Sequence, residues 1–124
     1  MAKRLQSNDL NRRITIQRKG RTEDDAGYPI PGAKEWEDVI TLWANREPLR
    51  GREFFAAAAD QAEITVRYRI WYRSGITSDM RIVDGKSVIN GVEKDRIYDI
   101  VTVLDDVFDD RSETHLMVSQ VSNG

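Results

Sequence analysis

From Glu63 to Tyr72 apolar and polar positions alternate without a break. Ile64, Val66, Tyr68, Ile70 and Tyr72 fall on one side; Thr65, Arg67, Arg69 and Trp71 fall on the other. A period of two over this stretch predicts a strand with one buried face. Immediately before it the pattern changes. Arg52 to Gln61 contains a run of alanines, and Phe54, Phe55, Ala58 and Ala62 share one face at three- and four-residue spacing. That predicts a short helix. So short a helix is marginal alone and must dock on something. Two readings fit it: a helix packed across one end of a sheet, or a projecting element whose Ala- and Phe-rich face meets a partner.

The remaining pattern is strand and turn. Arg12 to Gln17 predicts a first strand, with Ile14 and Ile16 on the core face. Residues 18–35 form a long loop rich in glycine, proline and acid, with turn chemistry at Asp25-Ala26-Gly27 and Pro31-Gly32. A loop of this length predicts a protruding segment or a mobile hairpin. Trp36 to Glu47 is apolar on both sides and predicts a strand covered on both faces, ended by Pro48. Met80 to Asp84 predicts a short strand closed by a hairpin at Asp84-Gly85. Ser87 to Ile89 returns briefly before a second turn at Asn90-Gly91. Arg96 to Leu104 and Thr114 to Val121 predict the last two strands, joined by an acidic connection at 105–111. The order predicts a mainly all-β fold: a small barrel or sandwich of about six strands, with one short α-helix inserted between the second and third. Residues 1–11 read as a flexible tail and 12–122 as a single domain.

Composition sharpens this picture in two places. At 124 residues and 40% hydrophobic content the chain can bury one real core. It has no cysteine, so neither disulfides nor thiolate chemistry enter. No apolar run approaches membrane-spanning length, and the basic N-terminus lacks the apolar core of a secretory signal. Net charge is -2 but unevenly spread. Residues 1–21 carry seven basic groups and one acid, whereas residues 91–124 carry three basic groups and eight acids. Such asymmetry fits a solvated surface, or a basic edge on one subunit meeting an acidic edge on the next.

Candidate chemistry is sparse. His115 is the single histidine and reads as a surface or packing residue in a strand. Asp105, Asp106, Asp109 and Asp110 lack the spaced-ligand pattern of a calcium loop and read as a solvated turn. No glycine loop is built to cradle phosphate. No catalytic residue, metal site or cofactor is therefore expected. Arg67, Arg69, Trp71 and Arg73 are expected on the outward side of one strand. They suit either a stacking and phosphate-binding platform for nucleic acid or a protein interface. The net acidity of the chain favours the interface.

Several blocks, taken in order, resemble the head–tail joining (head-closure) proteins of long-tailed bacteriophages and prophages. They are RRITIQR at 12–18, WEDVITLWANREPLRGREFF at 36–55, AEITVRYRIWYRSGITSDMRIVDG at 62–85 and YDIVTVLDD at 98–106. The resemblance implies a non-enzymatic virion protein made in the host cytoplasm. It implies a ring of copies, twelvefold in the best-known cases, below the portal and its adaptor and above the tail. Packaged DNA would pass through the channel, and no membrane would be involved. In relatives the segment between strands two and three reaches the channel and can gate it. Here that segment includes Pro48, Leu49, Arg50, Gly51, Arg52, Glu53, Phe54, Phe55, Gln61 and Glu63. Partner surfaces would include Arg67, Arg69, Trp71 and Arg73, the loop acids Glu23, Asp24 and Asp25, and the turn acids Asp105, Asp106, Asp109 and Asp110. A tail-completion (terminator) ring protein and a small DNA-binding β-barrel are the alternative readings.

Overall fold

The computed structural model describes residues 4–49 and 64–120. Among them are six strands: β1 (Arg12–Lys19), β2 (Trp36–Pro48), β3 (Val66–Trp71), β4 (Arg81–Ile89), β5 (Val92–Leu104) and β6 (Glu113–Gln120). They close into a barrel in the order β1-β2-β3-β6-β5-β4, and every neighbouring pair is antiparallel. Closure pairs each strand with a neighbour on both sides over part of its length, and edges stay unpaired in β2 before Asn45 and in the part of β4 and β5 that runs past the barrel. The expected all-β class holds. The expected helix at 52–61 lies outside the described residues.

Alternation builds the interior. Ile14 and Ile16 from β1, Ala44 from β2, and Val66, Tyr68 and Ile70 from β3 point inward. They meet Ile82, Tyr98, Ile100, Leu116 and Val118 from the opposite wall. The Tyr68 and Tyr98 rings pack edge to face at 5.7 Å, the arrangement that aromatic quadrupoles favour. Tyr72 departs from the expected pattern: β3 ends at Trp71, and Tyr72 lies beyond it, 37% exposed.

The Asp84-Gly85 hairpin must be corrected. β4 runs straight through these residues to Ile89, and the register against β5 shifts between Val83 and Lys86. Gly85 has φ +64, the left-handed backbone that a hairpin turn also requires. Here it serves a β-bulge inside one long strand. The real turn is Asn90-Gly91, with φ 53 and 78, the positive pair of a type I′ hairpin. β5 therefore starts at Val92 rather than at Arg96.

The register defines two ends. At one, Pro48 pairs with Val66, and the β4–β5 turn and the end of β6 lie alongside. Leu49 and Ile64 are buried there, and the Leu49 N–H donates to the Thr65 carbonyl at 2.9 Å. β2 thus ends and β3 begins at the same end of the barrel. At the opposite end sit the 20–35 excursion, the 105–112 connection and the link from β3 to β4. Residues 4–11, expected to trail off the domain, lie against it. A single 3-10 turn at Ser7–Asp9 carries them across the barrel wall, and Leu5 is buried.

Candidate functional site

On the outer wall, β2, β3 and β6 bring charged residues into register. Asn45 faces Arg69 and Glu47 faces Arg67 across one ladder, while Arg69 faces His115 and Trp71 faces Glu113 across the next. Cross-strand neighbours on one face lie within reach of each other. The Arg67 Nη2 donates to Glu47 Oε2 at 2.7 Å, and Arg69 Nη1 donates to Glu47 Oε1 at 2.8 Å. Arg69 also reaches Glu113 Oε1 through Nη2 at 2.8 Å and through Nε at 3.1 Å. His115 Nε2 lies 3.1 Å from that same oxygen.

This cluster is roofed. The Leu5 N–H donates to Glu113 Oε2 at 2.9 Å, the Phe108 ring meets His115 edge-on, and the Arg4 guanidinium lies 3.7 Å from the Phe108 centroid. Arg4 also pairs with Asp110 at 2.7 Å, tying the N-terminal segment to the β5–β6 turn. Burial would raise both carboxyls, but the donors outweigh it. Glu47 is held below the usual carboxylate range by Arg67 and Arg69, and Glu113 by the Leu5 amide, Arg69 and His115. His115 moves the other way from a normal ion pair. Burial lowers its pKa, Arg67 and Arg69 lower it further, and the attraction of Glu113 does not compensate.

The outward platform therefore needs correcting at Arg69. It does lie on the outer side of β3, but it is 7% exposed beneath the N-terminal segment, and its charge is opposed by two carboxylates. Arg67 is partly buried against Glu47. Trp71 and Arg73 sit further along, toward the other end, and are exposed. The four residues do not make one surface.

The other predicted residues fall at the two ends. Pro48 and Leu49 close β2, whereas Arg50, Gly51, Arg52, Glu53, Phe54, Phe55, Gln61 and Glu63 lie outside the described residues. Glu23, Asp24 and Asp25 cap the long excursion, which is an ordered hairpin. Glu23 bridges Pro29, and Asp24 Oδ1 accepts the N–H groups of Ala26 and Tyr28, both at 2.9 Å. Asp25 pairs with Arg21. In the acidic turn, Asp106 accepts the Arg111 N–H, Asp110 binds Ser112 and Arg4, and the Asp105 carbonyl accepts the Thr114 hydroxyl. Asp109 takes a positive φ of 58 to make the bend. Among the described residues no group of three or more potential ligands converges on a metal site.

Two features escaped the sequence reading. One is a polar layer inside the barrel. Asp84 Oδ2 accepts the Tyr68 hydroxyl at 2.6 Å and Arg12 Nη2 at 2.9 Å, while Arg46 and Arg96 both donate to the Tyr98 hydroxyl. The other is an apolar groove of about 320 Å³ beside Trp43, Trp71 and Tyr72, where β2 and β3 part. The tryptophans were visible in the sequence. Their juxtaposition needed the β2–β3 register.

A family model described as phage head completion protein matches residues 5–121. The solution structure of protein SF1141 from Shigella flexneri 2a is similar, with a TM-score of 0.64 and 26% identity. The match covers 93% of this chain and 96% of that one. No curated protein matches the chain with significance.

Proposed function

The chain belongs to the phage head completion protein family, and from that premise we propose that it builds a ring at the phage neck. Its role in phage head assembly is structural. In our reading, copies of the chain, twelve in number, sit beneath the portal and its adaptor. They receive the tail or a tail-completion protein below, and they help to retain packaged DNA. The protein acts by contact and not by catalysis. The observation that carries the reading is the extent of the family match, which takes in all six strands and the N-terminal segment.

Three structural features support it. The closed wall confines contact to side chains, projecting segments and the short strand stretches that run past the ladders. β2 ends and β3 begins at one end of the barrel, which anchors there the segment proposed to reach the channel. The acidic excursion and the acidic turn share the opposite end, where they suit a partner ring. Against the DNA-binding alternative, the Arg67 and Arg69 guanidiniums are each opposed by carboxylates, which removes most of the positive field that a phosphate backbone would need.

The test uses packaged heads that carry portal and adaptor but lack this protein. Adding the purified chain should protect the DNA from nuclease and add a ring at the vertex in electron micrographs. Binding without protection would make the protein a connector whose gate lies elsewhere. Binding to tail ends rather than heads would favour the tail-completion reading and overturn this one.

A further inference from the structure

The β4–β5 hairpin projects past the barrel. β4 pairs with β1 only as far as Val83, and β5 pairs with β6 only from Tyr98 onward. Between Lys86–Asp95 and Ile89–Val92 the two strands pair with each other alone. A two-stranded ribbon gains little by itself in water. Yet its tip carries Val88, Ile89 and Val92, exposed at 65%, 59% and 55%. These side chains add nothing to the core, and charged residues would keep such a tip more soluble.

The barrel order puts a matching surface on the far side. Around the ring β1-β2-β3-β6-β5-β4, the β2–β3 seam lies three steps from the β4–β5 seam, diametrically opposite. The β2–β3 ladder begins only at Asn45–Arg69. Beyond that pair Trp43 and Trp71 diverge and, with Tyr72, wall the apolar groove, which is floored by Leu42 and Ile70. Trp43 and Trp71 are 50% and 47% exposed. Cations flank it: Arg13 lies over the Trp43 ring and Arg73 lines the rim. The ribbon's charges are mixed: Glu93 lies across from Val88, while Lys94, across from Ser87, shares the face of Ile89 and Val92.

We infer that the β4–β5 ribbon of one copy seats in the Trp43–Trp71 groove of the next. This rests on the ring reading above and names the contact that builds the ring. An exposed apolar tip meets an exposed aromatic groove, with Glu93 on the Val88 face able to pair with an arginine of the rim; aromatic residues and arginine are the usual anchors of such contacts. Because the two surfaces differ and lie on opposite sides of one barrel, the contact is head-to-tail. A contact of that kind closes into a ring when its rotation divides a full turn.

The chain has no cysteine, which makes the contact easy to trap. Ile89→Cys and Tyr72→Cys are both at exposed positions, so the barrel should tolerate them. With a short bismaleimide applied to the vertex-bound protein, the double variant should give a ladder of covalent multimers. Mixed single variants should give dimers, and neither single variant alone should give any product. Glu93→Arg should reduce vertex occupancy at least tenfold, and adding Arg73→Glu should restore it. A visible ring without a ladder overturns the inference and leaves the ring reading standing. So does a product from Ile89→Cys alone, which would mean ribbon against ribbon. An intrachain bridge between Tyr72→Cys and Phe54→Cys would show the groove filled by the chain's own 50–63 segment, and would overturn it as well. Absence of any ring removes both readings together.

Discussion

Asp84 looks in the sequence like half of a turn signal, and in the fold it is an interior acceptor. It takes the Tyr68 hydroxyl and Arg12 while almost wholly shielded from water. Asp84→Ala should lower stability by roughly 2–3 kcal/mol, because buried donors are left without an acceptor. Urea unfolding would measure this, and Asp84→Asn, which keeps one acceptor oxygen, should cost less. His115 contributes to the response to acid. Its folded pKa lies below its ordinary value because burial disfavours the charged ring. Below about pH 6.5 the unfolded chain then binds more protons than the fold, so stability falls as pH falls. Glu47 and Glu113 have depressed values, so their contribution holds above about pH 4.3 and is lost as pH drops through their folded values. Replacing His115→Gln should therefore flatten the urea midpoint between pH 7 and 5 and leave the steeper acid limb in place. The residue types of both clusters were legible, but their burial was not. Alternation says only which side of a strand a residue faces, and here the outer side of β3 lies under Leu5 and the β5–β6 turn.

At the scale of elements, two glycines with the same backbone requirement do different jobs. Gly85 and Gly91 have φ +64 and +78, and at neither would an added Cβ meet another atom within 4 Å. Alanine at either site should thus cost about 1 kcal/mol from backbone conformation alone. The consequences should differ. Gly85 adjoins Asp84 in the wall of the barrel, so Gly85→Ala should lower global stability. Gly91 ends a ribbon that pairs only with itself, so Gly91→Ala should speed amide exchange over 86–95 and leave the core amides unchanged. The Asn90-Gly91 turn was legible because that dipeptide suits a type I′ hairpin. The bulge was misread as a turn because Asp-Gly is equally good chemistry for either. The choice depends on whether the flanking residues go on finding partners, and those partners, Asp95 to Asp99, lie beyond the Asn90-Gly91 turn.

At the scale of the molecule, the barrel is a closed scaffold from which a ribbon and connecting segments extend. The β4–β5 ribbon, the end of β2 and the start of β3 lie at one end, and the two acidic features lie at the other. If segment 50–63 serves retention rather than the core, replacing Phe54→Ser and Phe55→Ser together should leave the unfolding midpoint of the barrel unchanged while nuclease protection of packaged DNA falls. Unfolding of this variant would place the phenylalanines in the core and remove the gating role.

The sequence by itself determined the elements and the class. A period of two, broken by turn residues, is a local property of the backbone, and it was enough to predict about six strands and an all-β domain. The ordered blocks likewise pointed to the family. Tertiary structure alone decided which strands meet, and with that the candidate surfaces. Strand pairing joins residues far apart in the chain, and nothing local encodes the partner. Glu47 becomes the counter-ion of Arg67 and Arg69 only through the β2–β3 register, and Glu113 only when β6 pairs with β3. Trp43 and Trp71 face each other across a groove because that same β2–β3 ladder stops at Asn45–Arg69, and the β4–β5 ribbon lies opposite them because the barrel closes.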